Sequence, residues 1–189
     1  MLCHIPVKKR YSIEVASGAE EIFDIAFLPV GAYALFKNGG DDPTWQIISW
    51  WIFFALGLSD ILDGNLARSR NTITEFGKFL DPIADKAMIG TAMVSLSILG
   101  RMPWWITIVI MSREIGITLF RLAVIKRGVI PANRGGKIKA LFQGFGVGFY
   151  VLPLSETMFW FRDSFMAVAI ILTLVTGAHY IYSAFKPSK

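Results

Sequence analysis

Apolar residues gather along this chain in long blocks, not in short alternating runs. Five blocks approach the roughly 20 residues a helix needs to cross a hydrocarbon core: about 46–66, 79–99, 103–125, 138–155 and 164–185. A sixth, about 22–37, is shorter and is interrupted by Asp24 and Pro29. The connectors are polar and short, and "KNGGDDPT" (37–44) has the Gly, Asp and Pro content of a turn. This pattern predicts an all-α fold, an integral membrane bundle of six transmembrane helices over 22–189. Residues 1–21 form a juxtamembrane segment, expected as an interfacial helix because it lacks the apolar core and small-residue cleavage site of a signal peptide. No internal repeat, low-complexity tract or second domain is evident.

Composition agrees: 54% of the 189 residues are hydrophobic and only 17% charged, outside the usual range of a soluble domain. The lone cysteine, Cys3, permits no internal disulfide and no cysteine zinc site. A net charge of +5 suits nucleic acid or an anionic lipid surface equally, and hydropathy selects the bilayer, so nucleic acid is not an expected partner. Basic residues fix the orientation. With the N-terminus inside, thirteen Lys and Arg fall in inner segments and three, Lys37, Arg101 and Arg162, in outer loops, so both termini are expected in the cytoplasm. The tryptophans at 45, 50, 51, 104, 105 and 160 suit interfacial belts, and Gly144, Gly146 and Gly148 suit close helix packing. His4 and His179 lack metal-ligating partners at helical spacing and are read as structural.

The chemistry concentrates between the second and third blocks. Asp60 and Asp63 lie three apart near the end of one span, Asp81 and Asp85 four apart near the start of the next, so each pair shares a helix face. A polar connector of about 67–77 returns the chain and brings the two faces together. Four carboxylates at a membrane boundary repel one another unless cations sit among them. Oxygen donors alone select hard cations such as Mg²⁺, Mn²⁺ or Ca²⁺, and a pair of such ions is the usual clamp for phosphoryl transfer. Gly57, Gly64 and Gly77 permit close backbone approach, and Arg68 offers a planar donor fork to a phosphate. The alternatives are helix caps paired with Arg68, Arg70, Lys78 and Lys86, and an ion path through the aspartates.

The string D-x2-D-G-x2-A-R-x8-G-x3-D-x3-D, from Asp60 to Asp85, resembles the complete signature of the CDP-alcohol phosphotransferase family, with all eight fixed positions occupied. The resemblance implies a six-span, homodimeric membrane enzyme that moves a phosphatidyl or related group from a CDP-linked donor to an alcohol and releases CMP. It implies that Asp60, Asp63, Asp81 and Asp85 hold two divalent metal ions, Mg²⁺ or Mn²⁺, and that Asp85 is the base. Asp60, Gly64, Ala67, Arg68 and Gly77 would bind the CDP donor. The likeness runs from about residue 46 to the end of the fifth span. Towards the N-terminus it fades: anchored on Pro29, Gly18, Glu20, Glu21 and Asp24 stand where the family has Asn, Leu, Thr and Arg.

Arg113 and Arg121 lie eight apart, just over two helical turns, and Lys137 and Lys139 open the next apolar block. These cations point to an acceptor that carries its own phosphate. For Arg113 the plain alternative is pairing with Glu114 or a site carboxylate, and for Arg121 it is snorkelling to the inner surface. The block 112–143 is similar to the same region of bacterial phosphatidylglycerophosphate synthases. That implies CDP-diacylglycerol as donor, sn-glycerol 3-phosphate as acceptor, and a site on the cytoplasmic side of a bacterial inner membrane. Inositol phosphate, inositol or a lipid alcohol is the alternative acceptor, and a divalent-cation carrier is the alternative of another class.

Overall fold

In a computed structural model the backbone is described for residues 26–69, 75–124 and 134–185, and the side chains for 26–59, 86–120 and 138–183. The described residues are helical and contain no strand. They form α1 (26–36), α2 (Pro43–Ser69), α3 (Glu75–Ile98), α4 (Trp104–Val124), α5 (Arg134–Val151) and α6 (Phe159–Phe185). Each helix coincides with one apolar block. The expected interfacial helix over 1–21 lies outside the described residues. By internal contacts the chain falls into two compact units, Met1–Ala92 and Met93–Lys189.

In the first unit α1 and α2 approach closely because Gly31 has no side chain. A Cβ there would come within 3.1 Å of Phe53 Cζ and 3.3 Å of Ile52 Cγ2. The Ser49 hydroxyl donates to the Gly31 carbonyl at 2.9 Å, a polar tie between helices that an apolar solvent would not disturb. A turn over Lys37–Gly40 connects the two helices, with Asn38, Gly39 and Gly40 all at positive φ. Asp42 then caps α2: its Oδ1 accepts from the Thr44 backbone N–H at 2.9 Å and its Oδ2 from Asn38 Nδ2 at 2.8 Å. These bonds, the one from Asn38 foremost, hold its carboxyl below the usual aspartate range.

In the second unit α3 ends in a Schellman motif. The Arg101 N–H bonds to the Leu96 carbonyl at 2.9 Å and the Gly100 N–H to the Ser97 carbonyl at 3.1 Å, with Gly100 at φ +70°. The Arg101 guanidinium then donates to the Val151 and Leu152 carbonyls, at 3.2 and 3.1 Å, capping the C-terminus of α5. The connectors after α3 and after α5, both expected outside the membrane, thus share one end of this unit. Helix α6 packs against α4 and α5. Gly146 permits the α5 contact, since a Cβ there would lie 3.3 Å from Met166 Cε, whereas Gly144 faces open space. Of the two glycines, then, Gly146 serves helix packing and Gly144 does not.

Two boundaries differ from expectation. Helix α5 stops at Val151, not near 155, because Pro153 cannot continue the hydrogen-bond ladder. Helix α6 begins at Phe159, so the connector expected over 155–163 is half helical. Phe161 extends the apolar face into it, packing 5.3 Å from both Phe149 and Phe165 by ring centroids.

Beside an apolar core that includes Leu35, Met93, Leu96 and Ile110, polar groups are buried and large apolar ones exposed. Ser95, Ser97, Thr107, Lys139, Gln143 and Thr173 are buried, while Ile108, Leu119, Ile171 and Val175 are each about 60% exposed. Among the described residues one run, Glu156–Ser183, is long and apolar enough to cross a membrane, and Lys86–Ile98 and Ile138–Val151 are shorter apolar helices.

Candidate active site

Helices α2 and α3 meet at Gly57, where a Cβ would lie 3.5 Å from Met88 Cε and 3.9 Å from its Sδ. From that contact to the connector the two arms measure about 18 Å and about 20 Å at helical rise. Nearly equal arms make the pair a hairpin. Asp60 and Asp63 follow Gly57 by three and six residues, and Asp85 and Asp81 precede Met88 by three and seven. At helical rise Asp60 and Asp85 therefore each lie about 4.5 Å from that contact along their helices, and Asp63 and Asp81 about 9 and 10.5 Å. Gly64, Ala67 and Arg68 lie further along α2 and Gly77 near the start of α3. The side chains of these site residues lie outside the described set. Among the described side chains no group of three or more metal-ligating residues occurs.

A second polar cluster is built by α4, α5 and α6. Arg113 reaches from α4 to α6: its Nε donates to the Thr173 carbonyl at 3.0 Å and its Nη2 to Thr176 Oγ1 at 2.8 Å. Its Nη1 donates to Glu114 Oε1 at 3.0 Å. The same carboxylate oxygen accepts from Lys139 Nζ, which ties α4 to α5. All three side chains are largely buried, at 16%, 13% and 10% exposure for Arg113, Glu114 and Lys139. Gly177 makes the room, since a Cβ there would come 3.0 Å from Arg113 Nε and 3.4 Å from its Cγ. The Thr173 hydroxyl and Gln143 Oε1, both buried, have no hydrogen-bond partner among the described residues. Two buried cations on one carboxylate leave the trio with a net positive charge, a setting in which an anion is favoured.

Residues 21–175 match the family described as CDP-alcohol phosphatidyltransferase. The chain belongs to the CDP-alcohol phosphatidyltransferase family. Its sequence is 46% identical over 162 residues to a protein of Mycobacterium tuberculosis named "Probable phosphatidylglycerophosphate synthase", covering 86% of this chain and 78% of that one. It is 39% identical over 133 residues to the CDP-diacylglycerol–glycerol-3-phosphate 3-phosphatidyltransferase of Bacillus subtilis, covering 68% of this chain and 69% of the relative. The enzyme of the same name from Haemophilus influenzae is 34% identical over 163 residues, covering 83% and 82%.

The family match starts some 25 residues earlier than the likeness read from the motif and runs into α6, correcting the expectation that it fades beyond 46 and beyond the fifth span. The match thus takes in α1 and the first part of α6. Of the expected acceptor cations, Arg113 and Lys139 come together through Glu114. Arg121 lies in α4 and Lys137 in α5, with side chains outside the described set. The pairing of Arg113 with Glu114, the alternative read from the sequence, is present, at 3.0 Å. The link from Glu114 to Lys139 was not legible there, because it depends on how α4 and α5 pack. Thr173, Thr176 and Gly177 gave one faint signal, small and hydroxyl-bearing positions within an otherwise aliphatic span.

Proposed function

We propose that this CDP-alcohol phosphatidyltransferase transfers the phosphatidyl group of CDP-diacylglycerol to sn-glycerol 3-phosphate, giving phosphatidylglycerophosphate and CMP in phospholipid biosynthesis. The observation that carries the reading is the complete eight-residue motif, with Asp60 and Asp63 in α2 and Asp81 and Asp85 in α3, two helices that meet at Gly57 and Met88. The names of the relatives support the choice of acceptor.

The donor set fits a pair of divalent cations, Mg²⁺ or Mn²⁺, because facing carboxylates near a membrane need positive charge and offer only hard oxygen ligands. Asp60, Asp63, Asp81 and Asp85 would hold them. Bound there, the pair supplies neutralisation and in-line positioning for the donor's diphosphate. Gly64, Ala67 and Gly77 leave space for the cytidine diphosphate, and Arg68 donates to its phosphates. Asp85 takes the proton of the acceptor hydroxyl. The hydroxyl oxygen then bonds to the phosphorus that bears diacylglycerol, and the bond to CMP breaks. Arg113 and Lys139, with Arg121 and Lys137, hold the acceptor's phosphate, and the net positive charge around Glu114 supports that role.

The many exposed large apolar side chains support a bilayer setting, and the thirteen-to-three bias of basic residues supports six spans with both termini and the active site on the cytoplasmic side of what, by the resemblance, is a bacterial inner membrane. We take 22–189 as one functional domain, since the family match crosses Ala92 unbroken, and the working unit as a homodimer, as the resemblance to the family implies. The test is purified protein with labelled CDP-diacylglycerol, a divalent cation and a panel of acceptors. CMP release with sn-glycerol 3-phosphate is expected; release with inositol phosphate alone would replace the acceptor.

A further inference from the structure

Glu114 has no part in the family signature and no assigned task, yet it is the group through which two of the acceptor-site cations meet. A carboxylate is an odd choice beside a site that must attract a phosphate, because it repels the ligand. What it offers in exchange is geometry. Lys139 has a flexible four-carbon stem and sits on α5, while Arg113 sits on α4 and is fixed to α6 through the Thr173 carbonyl and the Thr176 hydroxyl. Glu114 Oε1 accepts from both, so one atom sets the separation of an ammonium and a guanidinium that come from different helices. It also holds part of their charge in a largely buried place where two bare cations would repel.

We propose that Glu114 is a positioning residue for acceptor specificity: it holds Lys139 and Arg113 as a preformed two-pronged anion receptor for the phosphate of the acceptor alcohol. The inference rests on the acceptor reading above and adds the residue that organises it. Glu114 touches no substrate. Its removal should therefore weaken capture of the phosphorylated acceptor and leave the donor and the chemical step alone, because the aspartates that serve them lie on α2 and α3.

The experiment measures kcat and both KM values for wild type, Glu114→Gln, Glu114→Asp, Lys139→Gln and the double variant Glu114→Gln/Lys139→Gln. For Glu114→Gln the KM for sn-glycerol 3-phosphate is expected to rise about tenfold, with kcat and the CDP-diacylglycerol KM within about twofold. Glu114→Asp should recover part of the loss. The double variant, which removes both members of the Lys139 pair and stays measurable should Glu114→Gln fold poorly, should raise the acceptor KM by clearly less than the product of the two single effects, the remainder being the hold on Arg113. An acceptor KM unchanged in Glu114→Gln, equal rises in both KM values, or losses that simply multiply in the double variant would each overturn the proposal. Absence of CMP release from wild type with sn-glycerol 3-phosphate would overturn instead the acceptor reading on which it rests.

Discussion

Replacing Gly177 by alanine tests the polar bracket of α4 and α6 with one methyl group. The new Cβ would stand 3.0 Å from Arg113 Nε and 3.4 Å from its Cγ, closer than neighbouring atoms normally tolerate. Either the helices part or the arginine moves. Parting them is overpacking of a filled interior, which costs about 1–3 kcal/mol. Moving Arg113 loosens its bond to the Thr173 carbonyl, and a hydrogen bond from a charged group is worth about 1.5–3 kcal/mol. Both routes reach the same range. Alanine also gains about 0.5–1 kcal/mol over glycine inside a helix, so the comparison needs a control. Gly144 in α5 supplies it, because a Cβ there meets nothing within 4 Å. With that gain common to both, the unfolding free energies of Gly177→Ala and Gly144→Ala in detergent should differ by about 1–3 kcal/mol, Gly177→Ala the weaker. In an Arg113→Ala background the difference should shrink towards zero, since the clash has lost its partner. Equal stability of the two glycine variants in the wild-type background would refute the reasoning.

At the hairpin, Asp85→Asn should abolish CMP release while retaining binding of the CDP-lipid, measured by equilibrium binding of labelled donor. Asp60→Asn should instead raise the Mg²⁺ or Mn²⁺ concentration needed for half-maximal turnover, read from a metal titration of activity. At the N-terminus of α2, the Asp42 carboxyl is held below its ordinary value of 3.8 by its bonds to Asn38 and Thr44. Its contribution to stability is therefore present above that value and lost as pH falls through the lower folded-state value. Asp42→Ala should remove this part of the acid dependence, measured as the change in unfolding midpoint between neutral pH and the acid limb.

The helices were legible because their cause is local. A continuous apolar block satisfies its backbone most simply within itself, as a helix, and each of the six blocks, the short one over 22–37 included, coincides with a helix. Ends were less legible: α5 stops for Pro153, which the chain announces, but α6 starts early because Phe161 finds Phe149, a contact between separate helices. For the aspartates the legible part is the spacing alone, since intervals of three and four residues fix a face of each helix whatever packs against it.

What the sequence withholds is the partner of each buried charge. Arg113 and Gly177 are 64 residues apart, and only the register between α4 and α6 makes one the space for the other. The same holds for Glu114 and Lys139, whose pairing depends on how α4 and α5 are turned about their axes. Reading Arg113 and Lys139 as two cations toward one phosphate was therefore incomplete in a specific way, because it placed positive charges together and supplied nothing to keep them there. In a medium of low dielectric, cations that converge on a ligand need a fixed counter-charge when the ligand is gone. A carboxylate on the same helix as one cation, shared with another from the next helix, meets that need and still leaves the net charge that draws an anion in. On the acceptor reading proposed above, Glu114 is then what the empty site requires, and without it Arg113 and Lys139 would stand buried and uncompensated.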